Sequence, residues 1–548
     1  MVFRFSPRNW LHVWRFLGDL PGEHQFVRLS GVSRSPCPRP WPSKGVKSVC
    51  LLWPAESGSD GRATHSCGGN LGKGSIEVNS ADEKIVPITS IVTRLSGYKR
   101  SPITESVQKL LRIDHELVSW LHERDPERRI VVKPNWIQQS HESQPEIWEP
   151  VITHPTVVLA VIEGLAELMG GVGTISVCDA PHTHADFEVI TRRGDLYNQL
   201  EVIRGRFRSL KIEVIDFRRE VWLRRKGVIV ERSGNPGDLR GYVSVDLSRD
   251  SLLYGMGRDC CFYGADYDTS VVNLHHAGMV HEYLVASTAI GCDLFVNVPK
   301  LKTHKKTGIT CCLKNLVGIN GDKNWLPHHR EGTPKVGGDE FPDDRFANVL
   351  EGKAKTIGRR IALAIPVIGT RLFGMMRGLG QHVLGDSEVV IRNGNWSGND
   401  TCWRMALDLN RALLYSNADG TWRDRGPRKR YLAIVDGIIG GEGNGPAAPD
   451  AVASGVLIGG TDPAAVDAVA CRLMGFNPAE IPIVAHAFDR HRWPIASCRL
   501  SEVTAWDDRC DTEVPLFCIE PALSRSFRPH FGWACLQEIA AHASETEC

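Results

Sequence analysis

The densest chemistry in the chain lies between Lys300 and Lys323. This stretch holds Lys300, Lys302, Lys305, Lys306, Lys314 and Lys323, interleaved with Thr303, His304, Thr307 and Thr310, and no acidic residue occurs before Asp322. Ammonium groups, hydroxyls and backbone N–H groups together are what phosphate or carboxylate recognition requires. A generic lysine-rich loop is a solvated surface feature. This one directly follows an apolar run, Leu294 to Val298, and continues into Thr310-Cys311-Cys312-Leu313-Lys314-Asn315, which reads as partly buried. Neighbouring cations favour the neutral imidazole of His304, so it ranks above the other histidines as a proton carrier. His182, His184 and the pairs His275-His276 and His328-His329 read as structural or exposed.

A second constellation is Asp436-Gly437 followed by Gly440-Gly441-Glu442-Gly443-Asn444-Gly445-Pro446. Gly443 and Gly445 allow a tight turn and a close approach to a ligand. Asp436 and Glu442 suit either acid/base work or a hard divalent cation, with Asp179 as a third carboxylate. The competing reading is a glycine-rich turn with Asp436 capping a helix. No Gly-Lys-Ser/Thr follows, so this is not a P-loop. The first strand-to-helix turn, Lys133-Pro134-Asn135, lacks glycine, which argues against a dinucleotide fingerprint.

These residues need elements to position them. From Ile85 onward, short apolar runs alternate with helical patterns, the signature of an α/β sheet. Strands are expected at 130–132, 174–177, 294–298, 431–435 and 456–459. Helices are expected from Pro155 to Met169, capped by Thr153, near Met279 to Ile290, and after Asp462-Pro463. Each strand is followed by a polar or glycine-rich turn: Lys133-Pro134-Asn135, Cys178-Asp179, Lys300 to Lys306, Asp436-Gly437 and Gly460-Thr461-Asp462. A parallel sheet directs such turns to one edge, where ligands bind. Lys133, Asn135, Asp179, Lys300, Lys302, His304, Lys314, Asn315, Asp436 and Glu442 are therefore expected in one cleft. Thr303, Lys305, Gly443 and Gly445 complete the binding set. The fold class is α/β, a mostly parallel sheet flanked by helices.

The remaining organisation follows from composition. The chain has 548 residues and a formal net charge of +1. No global basic excess exists, so nucleic acid is not the expected partner. Residues 1–82, with the run Ser35 to Pro42 and a Gly/Ser-rich stretch from Ser57 to Ser75, read as a disordered or mis-annotated extension. Residues 83–334 and 427–485 form the two parts of the core. Residues 335–426 read as an inserted cap, with a helical segment at Thr356 to Leu384 and a Trp- and Asn-rich loop at Asn393 to Trp403. Residues 486–548 read as a C-terminal extension. The best apolar stretch, Ile361 to Leu379, is broken by Arg371 and Arg377, so no membrane span is expected. No signal peptide is seen. The 16 cysteines form no CxxC pair, which fits reduced thiols in a cytoplasmic protein.

The motifs Lys133-Pro134-Asn135, Thr153-His154-Pro155, Val298 to His304, Leu313 to Gly318, Asp436-Gly437, Gly443 to Pro446 and Asp462 to Asp467 occur in this order. Together they resemble the domain of unknown function 362 family over about residues 86–480. The resemblance implies no general activity. Some members carry ferredoxin-type four-cysteine runs and are described as iron–sulfur proteins; this chain has no such run, so that property is not carried over. The expectation is an enzyme acting on an anionic small molecule, with a divalent cation as the candidate cofactor and an iron–sulfur cluster ranked behind it. One alternative is a metal or redox accessory using Cys178, Cys292, Cys311 and Cys312. Another is a non-catalytic polyanion-binding protein.

Overall fold

Aliphatic and β-branched runs bounded by glycine, proline and polar turns form twelve strands of one sheet. They are β1 (Ser90–Arg94), β2 (Arg129–Pro134), β3 (Gly173–Asp179), β4 (Leu210–Asp216), β5 (Leu294–Val298), β6 (Lys300–His304), β7 (Gly308–Thr310), β8 (Arg430–Asn444), β9 (Ala448–Val452), β10 (Val456–Gly460), β11 (Thr504–Asp507) and β12 (Thr512–Pro515). The computed structural model describes residues 89–225, 228–256, 261–266, 268–345, 391–423 and 426–536. The expected extension over residues 1–82 and the segments Thr356 to Leu384 and Ile361 to Leu379 lie outside the described residues.

The sheet order is β12-β11-β1-β10-β8-β5-β2-β3-β4, with β6 and β9 paired to β8 and β7 to β6. Strands β8, β5, β2, β3 and β4 are parallel neighbours. Successive side chains on these strands enter opposite cores, because a strand has a period of two. Ile130, Val132, Val296 and Ile434 face a core built with helices α1 (Arg100–Leu111), α2 (Pro155–Leu168) and α3 (Leu196–Arg206). Val131, Phe295, Ala433 and Val435 face the other core, which holds α4 (Cys312–Asn315), α5 (Cys402–Tyr415) and α6 (Pro463–Leu473). Burial on both faces explains why these strands read as continuous apolar runs. The fold class is the expected one: a mostly parallel sheet with helices on both faces.

Several local expectations need correction. Strand β10 runs antiparallel to β8, with Gly460 opposite Ala433. Gly460-Thr461-Asp462 therefore opens on the sheet edge opposite to the ends of β2, β3 and β5, and Asp462 there caps α6 through the N–H groups of Ala464 and Ala465. The segment near Met279 to Ile290 is mostly a strand, Val280–Ala286, paired with Tyr242–Asp246; only Ser287–Ile290 is helical. Cross-strand pairing overrides the short helical pattern there. Helix α2 is capped by His154, whose Nδ1 accepts the Thr156 N–H at 3.1 Å. Thr153 instead ties two strand ends, accepting from the Asn135 N–H and donating to the Val298 carbonyl. No helix among the described residues is long and apolar enough to cross a membrane.

Candidate functional site

The start of the lysine stretch, Lys300–His304, is a strand rather than a loop. After Val298 a single proline separates β5 from β6, and β6 pairs in parallel with the distal half of β8, Lys300 beside Asp436 and Lys302 beside Gly441. Strand β8 is long because Gly440 to Asn444 pair with Val452 to Ala448 of β9, and the expected glycine-rich turn follows at 445–447, with Gly443 at a φ of +75° leading into it. Lys300, Lys302 and Thr303 are fully buried and His304 is nearly so. Lys300 and Lys302 are thus fixed by strand pairing at the carboxyl edge of the parallel strands.

Two buried networks hold this edge together. In the first, Lys133 on β2 meets Asp179 at the end of β3 at 2.8 Å. Its Nζ also donates to Asn315 Oδ1 at 3.0 Å, and Asn135 Nδ2 donates to the same oxygen. Asn315 Nδ2 passes the chain on to Asn297 Oδ1 of β5. The Trp136 N–H holds the other Asp179 oxygen at 2.7 Å. Gly318 is required here, since a Cβ would sit 1.9 Å from Asp179 Oδ1 and 2.5 Å from Lys133 Nζ. In the second network Lys300 meets Asp436 at 2.9 Å. Tyr98, stacked on His154 at 3.6 Å, links to both partners. Asp436 also accepts the N–H groups of His154 and Ile438.

The ammonium groups between and beyond these networks are treated differently. Lys302 Nζ donates only to the carbonyls of Val151 and Pro446. Lys323 Nζ donates to the Val317 carbonyl and Lys306 Nζ to that of Asn393. Among the described residues nothing hydrogen-bonds or ion-pairs with Lys314 Nζ, although the residue is only 8% exposed. Burial lowers the pKa of all four, to about 8 at Lys306 and about 7 at Lys323. His304 titrates well below its ordinary value, first through burial and then through Lys314, Lys305, Lys306 and Lys302. Burial and the same cations push His328 down to about 3. Both imidazoles are neutral at pH 7, as expected for His304.

Other candidates are placed elsewhere. Glu442 is clasped by Arg525 at 2.7 and 3.0 Å and accepts the Arg528 N–H. It lies beyond a register shift in β8, where Lys300 pairs with Asp436 and Lys302 already pairs with Gly441. The four acceptor positions of Asp436 are already used. Among the described residues Asp179, Asp436 and Glu442 do not bring their ligand atoms together, so the expected cation site is not assembled. Gly443 and Gly445 pack the hairpin on β6: Thr303 Oγ1 donates to the Gly443 carbonyl, and a Cβ on Gly445 would lie 1.9 Å from the Thr303 carbonyl oxygen. Gly443, Gly445 and Thr303 thus serve strand packing.

The four cysteines considered for a cluster separate. Cys311 and Cys312 bring ligand atoms within 4.8 Å of Asp467, while Cys178 and Cys292 are buried thiols outside that group. Asp467 accepts the N–H groups of Cys312 and Leu313 at 2.7 and 3.0 Å, which anchors α4 and with it Lys314. Tyr98, His154, Asn297, Gly318 and Asp467 were not among the expected site residues. The signal for several lay in the quoted motifs, whose less conspicuous members do the positioning.

This is an α/β protein with a lysine-lined carboxyl edge. Residues 227–472 match the family described as Domain of unknown function (DUF362), the family that the ordered motifs resemble. The matched stretch starts after Lys133-Pro134-Asn135 and Thr153-His154-Pro155, so it is shorter than the resemblance. A crystal structure of a Thermotoga maritima protein, solved as a structural-genomics target, aligns with 66% of this chain and 57% of its own at 11% identity and a TM-score of 0.27. No curated protein matches the chain.

Proposed function

We propose that the carboxyl edge of the parallel strands is the site of an enzyme acting on an anionic small molecule bearing a phosphate or carboxylate. One observation carries this reading. Among the described residues Lys302, Lys306, Lys314 and Lys323 have no carboxylate partner, whereas Lys133 and Lys300 each have one. Buried ammonium groups without counter-ions are costly, and a bound anion supplies the missing charge. In this reading Lys302, Lys305, Lys314 and Lys323 hold the anion and His304 moves a proton. Lys133, Asn135 and Asn315 fix the floor, and the Lys300–Asp436 pair fixes β6 on β8.

Isothermal titration with sulfate and with inorganic phosphate tests this. Lys314→Ala and Lys323→Ala should each abolish binding while the circular dichroism spectrum stays unchanged. Unchanged affinity in both variants refutes the reading. The alternative, a metal-dependent accessory, rests on Cys311, Cys312 and Asp467. Elemental analysis of the purified chain decides it, since protein without stoichiometric zinc or iron removes that reading.

A further inference from the structure

We propose that Lys314 is a nucleophilic amine that condenses with a carbonyl carbon of the bound anion. The ligand is then a small aldehyde or ketone carrying a carboxylate or phosphate. This rests on the anion-site reading above and deepens it.

The argument starts from what Lys314 lacks. Lys133 and Lys300 are locked as ammonium groups by Asp179 and Asp436. Lys302, Lys306 and Lys323 are locked as donors by backbone carbonyls. An amine whose hydrogens are committed to acceptors cannot readily turn its lone pair on an electrophile. Lys314 alone among these buried or half-buried lysines is uncommitted, and it stands on α4, a short helix pinned by Asp467 and by the Asn410 side chain on the Leu313 carbonyl. Its backbone is rigid while its amine is unoccupied.

The surroundings favour the neutral form. The charged and titratable groups whose fields reach it are Lys133, Lys302, Lys306, Lys323, His304, His328 and Cys402. The cations disfavour another ammonium, the two imidazoles are neutral, and burial holds the Cys402 thiol protonated. Burial comes first in lowering the Lys314 pKa; Cys402 opposes it and Lys133 adds to it. A desolvated lysine beside other cations is the arrangement that makes a lysine nucleophilic near neutral pH.

The step balances without a co-reactant. The Nζ lone pair forms a bond to the carbonyl carbon, and the carbonyl oxygen takes up one amine hydrogen to give a carbinolamine. The carbon–oxygen bond then breaks, and the oxygen leaves as water with the second amine hydrogen, giving C=N. His304 or His328 can relay the proton, while Lys302 and Lys323 hold the anionic group.

The test traps the adduct. The full chain is incubated with glyoxylate, pyruvate or pyridoxal 5′-phosphate, reduced with cyanoborohydride, digested and mapped by mass spectrometry. A reduced adduct on Lys314 is expected with at least one probe, ahead of exposed lysines such as Lys335, whose side chain is 81% exposed. It should be lost in Lys314→Arg. An unmodified Lys314 beside labelled surface lysines overturns the proposal, and because this is read on the unaltered chain, a poorly folding variant does not blunt it. Sulfate has no carbonyl and reports separately. Sulfate binding without trapping removes the imine chemistry but keeps the anion site, whereas loss of both removes both.

Discussion

The Lys300 ammonium and the Asp436 carboxylate meet at 2.9 Å with neither side chain exposed. They belong to adjacent parallel strands, and Tyr98 donates to Asp436 while accepting from Lys300. The pair fixes β6 against β8, so it sets the position of every lysine that follows on β6. Removing one partner leaves a buried charge alone, which costs about 3–5 kcal/mol. Asp436→Asn should therefore destabilise the chain strongly in a denaturant titration. The double change Lys300→Met with Asp436→Leu should cost clearly less. A double variant as unstable as the single one would mean that the pair adds no charge-specific term.

Lys314 and Lys302 should respond to substitution in opposite ways. Lys314 has no partner to lose, and its charged form is disfavoured by burial. Lys314→Met should leave the melting temperature equal or higher while sulfate binding disappears, the usual trade between stability and function. Lys302→Met strips the Val151 and Pro446 carbonyls of their donor. Leaving a buried acceptor unsatisfied costs about 1–3 kcal/mol, so this chain should melt lower. Equal destabilisation by both changes would contradict the distinction between them.

How much of this was legible depends on what each residue reports. Ile130 to Val132 and Leu294 to Val298 announced their strands because burial on both faces leaves an unbroken apolar run. The same signal carries no direction, so β10 was placed with the parallel strands although it pairs antiparallel with β8. Lysines normally mark solvent, and Lys300 and Lys302 gave no local sign of being fully buried. That burial is set by the Gly440–Asn444 partner segment more than a hundred positions away. Glu442 looked equivalent to Asp436 because its neighbours are glycines. Its actual partner, Arg525, lies in a C-terminal stretch with weak periodicity.

The clasp on Glu442 gives a direct contrast with the lysine site. Arg525 is more than half exposed, so the ion pair is screened and worth about 0–1 kcal/mol. Glu442→Gln should lower stability only slightly and leave sulfate affinity unchanged. Loss of sulfate binding in this variant would restore Glu442 to the site and place the hairpin near the ligand.

The half-buried lysines set a pH dependence whose sign can be worked out. Burial, ahead of their charged neighbours, brings Lys306 down to about 8 and Lys323 down to about 7, from an ordinary value near 10.4. Sulfate remains a dianion across neutral pH, so its binding follows the protein's protons alone. It needs the ammonium forms, and affinity should fall as pH rises from 6 to 9. Binding near pH 7.5 should draw protons from the buffer, which titrations in two buffers of different ionisation enthalpy will read. Stability without ligand runs the other way. Between about pH 7 and 10 the unfolded chain binds more protons at these two lysines than the folded chain does, so their contribution to stability rises with pH. Lys323→Met should flatten the lower part of both curves. A sulfate affinity that stays level from pH 6 to 9, with no proton uptake, would show that Lys306 and Lys323 do not face the bound anion.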